Sequence, residues 1–162
     1  MNFSFLHIAQ VLLALSSPAA AAVEECSGDQ LAVRDMISGE SAEFTVAVVD
    51  TPATLARGLM MVEHMPENAG MLFVFPQTRE VSFWMKDTLI PLDMLFIDDA
   101  GYVVSIHEGA IPHDTTSIPS GSPVRYVLEI NGGVVEKLEL APGDKVINPA
   151  LGTGCVDIEM RS

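Results

Sequence analysis

A tryptophan, a lysine and three carboxylates interrupt the apolar run EVSFWMKDTLIPLDMLFI, Glu80 to Ile97. If Glu80 to Met85 is a strand, alternation sends Val81, Phe83 and Met85 to one face and Glu80, Ser82, Trp84 and Lys86 to the other. The chain's single tryptophan then stands among polar groups, as a ligand platform does, with Lys86, Asp87 and Asp93 close by in the sequence. A second reading stays open beside it. Aromatic side chains mostly serve packing, so Trp84 could bridge two layers of core while Lys86 pairs with Asp87 or Asp93.

Asp93 lies between Leu92 and Met94, and Glu129 between Leu128 and Ile130, so both project from strands with at least one buried face. Buried carboxylates need partners. Lys86 or Arg125 would supply them in a structural ion network. In an envelope hydrolase Asp93 and Glu129 would instead be the acid and base, and in a binding site they would form the polar floor beneath Trp84. Soft ligands collect at MMVEHM, where a helix would stack Met60 on His64 beside Met61 and suit Cu(I). Gly58 before this segment and Pro66 after it argue against a continuous helix, and methionine is a common core filler. His107-Glu108 and His113-Asp114 lack the spacing of a zinc helix, and there is neither a GxSxG elbow nor a glycine-rich phosphate loop. The expected metal and cofactor complement is none, and a non-enzymatic role is preferred.

The elements that must position these residues read mostly as strands. AEFTVAVVD alternates; Thr51-Pro52 then starts a short helix to Leu59, with Leu55 and Leu59 inward. GMLFVFP reads as a buried strand closed by Pro76, with Gln77 to Arg79 turning into the tryptophan strand. Ile90-Pro91 breaks pairing before LDMLFI, which forms a hairpin with YVVSIHE across Asp98 to Gly101. Gly109 to Pro123 reads as a long loop, VRYVLEIN as a strand, VVEKLEL as a short helix and KVIN as a last strand. The fold class expected is α+β, predominantly β: one compact domain, a roll or barrel-like sheet with two short helices.

The first 22 residues resemble a secretory signal peptide, with an apolar stretch at Ile8 to Leu15 too short to span a bilayer and small residues at Ala20 and Ala22. The expected organisation is a signal peptide at 1–22, an irregular N-terminal arm at 23–41 and a single β-rich domain at 42–162. All eight Lys and Arg residues and all 22 acids follow Ala22, so the exported form keeps the net charge of −14. Such a chain is a poor match for nucleic acid or an anionic membrane surface. Cys26 and Cys155, the two cysteines, suggest one disulfide in a periplasmic or extracellular protein. By the chain-entropy argument it would stabilise the fold by at most about 5 kcal/mol. The expected form is a monomer whose partner is a small polar ligand or an envelope protein.

The segments ARGLM (Ala56 to Met60), GMLFVF (Gly70 to Phe75), FWMKDTLIPLDMLFID (Phe83 to Asp98), VLEINGG and PGDKV together resemble the uncharacterised family called domain of unknown function 192. The resemblance extends from Phe44 to Asn148. It implies a compact β-rich fold with small helices in proteins often exported or membrane-anchored, and it implies no activity. Arg57, Trp84, Lys86, Pro91, Asp93 and Glu129 occupy motif positions; the family pattern usually has Asn where this chain has Asp87. The candidate ligand-binding residues are therefore Arg57, Trp84, Lys86, Asp87, Asp93 and Glu129.

Overall fold

The computed structural model describes residues 26–156. The expected leader and its cleavage point lie outside the described residues. Strand β1 (Gln30–Arg34) buries Leu31, Ala32 and Val33, so the stretch expected to be an irregular arm contributes a strand to the sheet. Its apolar run is only three residues long, too short to show a period. Strand β2 (Ser41–Val49) follows. Thr51 then caps helix α1 (Pro52–Arg57): Thr54 N donates to the Thr51 hydroxyl and Thr51 N to the Thr54 hydroxyl. The helix stops two residues before the expected Leu59 because Gly58 adopts φ 49° and closes the last turn onto Thr54 O. Leu55 and Leu59 nevertheless both pack inward.

Strand β3 (Ala69–Arg79) runs parallel to β2, and α1 with the residues after it supplies the crossover that a parallel pair requires. Contrary to the expected turn at Gln77 to Arg79, β3 continues past Pro76. Its register with β8 (Val124–Asn131) shifts between Val74 and Arg79, which accommodates a proline that cannot donate to the ladder, and pairing resumes at Arg79 with Val124. The hairpin of β5 (Leu92–Ile97) and β6 (Val103–Ala110) turns at Asp98 to Gly101 as its composition predicts. Helix α2 (Val134–Lys137) and strand β9 (Lys145–Ile147) complete the order β6-β5-β8-β3-β2-β1-β9, with every neighbour except β2 and β3 antiparallel. The sheet curls into a half-barrel, α+β and predominantly β as the sequence predicts.

A second small sheet was not foreseen. Within the long loop, β7 (Ile118–Pro119) pairs with β4 (Ser82–Phe83), two residues against two. The main sheet has apolar residues on both faces. Leu72, Leu95, Leu128, Ile130 and Val135 belong to one core, and Phe73, Phe75, Met94, Phe96 and Val127 to the other. Alternation along β8 and β5 makes the division, and α2 covers the first face while α1 and the β4 segment cover the second. Cys26 and Cys155 form a disulfide with their Cα atoms 5.4 Å apart.

Candidate functional site

The second face of the sheet is not fully covered. Between α1 with its following turn and the Arg79 to Trp84 segment lies a cleft of about 450 Å³. Its walls are Leu55, Leu59, Phe73, Phe75, Val81 and Phe83. Phe83 meets Phe73 and Phe75 edge to face, with centroids 5.1 and 6.3 Å apart. Gly58 sits against this wall, where a Cβ would stand 3.2 Å from the Phe73 ring, so glycine lets the end of α1 close on the sheet.

Polar groups occupy the mouth and the base. Arg57 ends α1, Arg79 ends β3, and Glu80 and Trp84 stand on the β4 segment; all four are exposed and all four line the cleft. Trp84 is 51% exposed, so the reading of it as an enclosed core residue is wrong. The expected alternation survives although only Ser82 and Phe83 pair: Val81 and Met85 are buried while Ser82, Trp84 and Lys86 are exposed. Arg79 lies 5.5 Å from the Phe75 ring centroid, and Lys86, outside the cleft, lies 5.5 Å from that of Trp84. Neither Arg57 nor Arg79 has an ion-pair partner among the described residues.

Glu129 forms the base. Strand β8 lies between β5 and β3, so Glu129 is flanked by Met94 and Met71 and is only 4% exposed. No described group hydrogen-bonds its carboxyl, and burial alone pushes its pKa up from 4.5 to about 8. At neutral pH it is therefore mainly a protonated acid, able to donate a hydrogen bond into the cleft.

Asp93 is elsewhere. It pairs across strands with Ile130, one residue beyond Glu129, so the two carboxylates point to opposite faces of the sheet. An acid and base pair of Asp93 with Glu129 is thereby excluded. The expected ion pairing of Asp93 with Lys86 or Arg125 is also absent. Instead Gly109 N donates to Asp93 Oδ1 at 2.8 Å and Val135 N to Oδ2 at 2.9 Å, so the fully buried carboxylate ties β6 to the first turn of α2. Gly133 at the N-cap of α2 has no side chain to do this.

Asp87 does not line the cleft either. It adopts φ 55°, a left-handed conformation that Asn and Asp tolerate better than other side chains, which accounts for either residue at this position. Its carbonyl accepts a 2.8 Å hydrogen bond from Met61 N and joins the loops on the two sides of the cleft. Met61 is exposed at φ 63° in the turn after α1, and His64 is exposed, so the helical stacking of Met60 on His64 does not form. Among the described residues no three His, Cys, Asp or Glu side chains are grouped to hold a metal ion. Of the residues picked from sequence, Arg57, Trp84 and Glu129 meet in the cleft and Lys86 borders it. Arg79 was missed, because Pro76 masked the strand that carries it to the mouth.

The family described as "Uncharacterized ACR, COG1430" (DUF192) matches residues 33–147. A crystal structure from Sinorhizobium meliloti 1021, described provisionally as a transcription regulator, is 40% identical with a TM-score of 0.74, covering 77% of this chain and 96% of that one. A protein of unknown function from Novosphingobium aromaticivorans DSM 12444 is 34% identical with a TM-score of 0.71, covering 82% of this chain and 94% of that one. No curated protein matches significantly.

Proposed function

This chain belongs to the DUF192 family of uncharacterised proteins, and we propose that it is an exported, non-enzymatic module that binds a small polar ligand in the cleft beneath Trp84. The observation that carries the reading is the cleft itself. A half-exposed indole, two arginines and a buried carboxyl without a protein partner converge on one concavity of ordinary ligand-site size. The Glu129 carboxyl makes no hydrogen bond to a described group and borders the cleft, where a ligand can supply one. Export is supported by the leader-like first residues and by the disulfide, which persists in oxidising compartments. No helix among the described residues is long and apolar enough to cross a membrane. The Sinorhizobium protein's provisional description is not carried over, because a net charge of −14 opposes binding to a phosphate backbone.

The test combines native mass spectrometry of the protein, incubated with a small-molecule extract of its cell envelope, with denaturation of Trp84→Ala. The expected result is one bound small molecule on the wild type, lost in the variant, while stability changes by less than about 1 kcal/mol. A core tryptophan would cost roughly 3–5 kcal/mol on truncation. Retained binding by Trp84→Ala, or a loss of stability in that larger range, sinks the proposal.

A further inference from the structure

We propose that the ligand of this cleft is a small organic anion, a carboxylate on an apolar body, whose charged end is held by Arg57 and Arg79 at the mouth and whose body lies along the phenylalanine wall. The inference rests on the binding role proposed above and adds the chemical class of what is bound.

The chain carries 22 acids against eight Lys and Arg residues, yet two of those eight meet at one cleft mouth. Neither has a carboxylate in ion-pair range among the described residues, although both are exposed in an acidic protein. Glu80 is the one carboxylate that shares the mouth with them, so the arginines outnumber it. Lys86, outside the cleft, places a further cation beside the Trp84 ring. A guanidinium presents a planar fork of N–H donors that matches a carboxylate in two parallel hydrogen bonds, and two such groups from different elements fix the orientation of the anion.

The walls decide what the rest of the ligand is. The Phe83 ring stands nearly at right angles to those of Phe73 and Phe75, and the three make a surface that takes an aromatic or aliphatic body. At the base, Glu129 is buried and makes no hydrogen bond to a described group. Holding its proton at neutral pH, it repels no anion and offers a donor to an oxygen on the inner end of the ligand. A cationic ligand would have to pass two arginines to reach it.

Calorimetric titration of the full mature chain tests this, using two bodies with three head groups each: para-hydroxybenzoate, para-hydroxybenzamide and para-hydroxybenzylamine, then octanoate, octanamide and octylamine. At least one carboxylate should bind about tenfold or more tightly than its matched amide, a difference that added salt diminishes. The Arg57→Gln/Arg79→Gln variant should bind acid and amide alike while unfolding at the same denaturant concentration as the wild type, because both side chains are exposed. Amides or amines that bind as well as the acids, a preference that survives in the double variant, or no binding by any carboxylate overturns the assignment. Should only amides or amines bind and shift Trp84 emission, the cleft remains a binding site and the anion claim alone falls. Loss of the binding reading itself would show instead in the extract experiment with Trp84→Ala.

Discussion

Replacing Glu129 by Gln should remove a pH-dependent penalty from the folded state. In the unfolded chain the carboxyl titrates at its ordinary 4.5; in the fold, burial holds the proton to about 8. Between those values unfolding releases a proton, so stability contributed by this group is present below pH 4.5 and falls as pH rises through the window. At about 1.36 kcal/mol per pH unit the fall is about 3 kcal/mol by pH 7 and about 5 kcal/mol beyond pH 8. Glutamine has nearly the same shape and does not ionise. The free-energy difference between Glu129→Gln and the wild type, from urea denaturation across about pH 4 to pH 9, should be small at the acid end and grow in favour of glutamine. Taking the difference cancels the other carboxylates, which titrate alike in both proteins. A difference that stays flat over this range, or that grows toward acid, refutes the reasoning. It would mean that the cleft hydrates Glu129 well enough for an ordinary carboxylate.

Other outcomes are as definite. Asp93→Ala should destabilise the domain by about 2–4 kcal/mol, because the buried Val135 N–H and the partly buried Gly109 N–H both lose their acceptor; urea denaturation showing a loss under about 1 kcal/mol would remove Asp93 as the tie between β6 and α2. Intact mass of envelope-derived protein should match a chain starting at Val23 with Cys26 and Cys155 joined, and two free thiols or a retained leader would contradict it. Reduction should lower stability by at most about 5 kcal/mol, read from denaturation with and without a thiol reductant. Dialysed protein should hold no copper by elemental analysis, whereas stoichiometric Cu(I) lost on joint replacement of Met60, Met61 and His64 would make metal handling the leading function.

The sequence revealed the architecture wherever side chains alternate or a turn residue is required. Phe44 and Val46 in β2, the Thr51-Pro52 helix start and the Asp98 to Gly101 hairpin all follow from local chemistry. Elements held by long-range pairing were hidden. Leu31 to Val33 become a strand because β2 and β9 bracket them, and Ile118-Pro119 because Ser82-Phe83 lies opposite, neither of which leaves a local period. The site was legible to the same degree. Alternation placed Trp84 correctly on the open face, and the family resemblance added Arg57. The sequence could not say that Asp93 and Glu129 part to opposite faces, since that depends on the register of β5 against β8. Nor could it show that the partners of Asp93 are backbone amides, which carry no residue code.

The pairing of β1 with β9 brings together the first and the last strands of the sheet, Ala32 opposite Ile147. It sets an order of events for a chain made from its N-terminus. Strands β2, β3, β8 and β5 can assemble while the tail is still being delivered, but the edge beyond β1 stays open until residues 145–147 arrive. Cys155 lies later still, so oxidation of the native pair comes after the whole sheet has been delivered. The bridge is therefore a late latch, and the oxidised fraction of a pulse-labelled sample counts chains whose synthesis has run to the end of the fold.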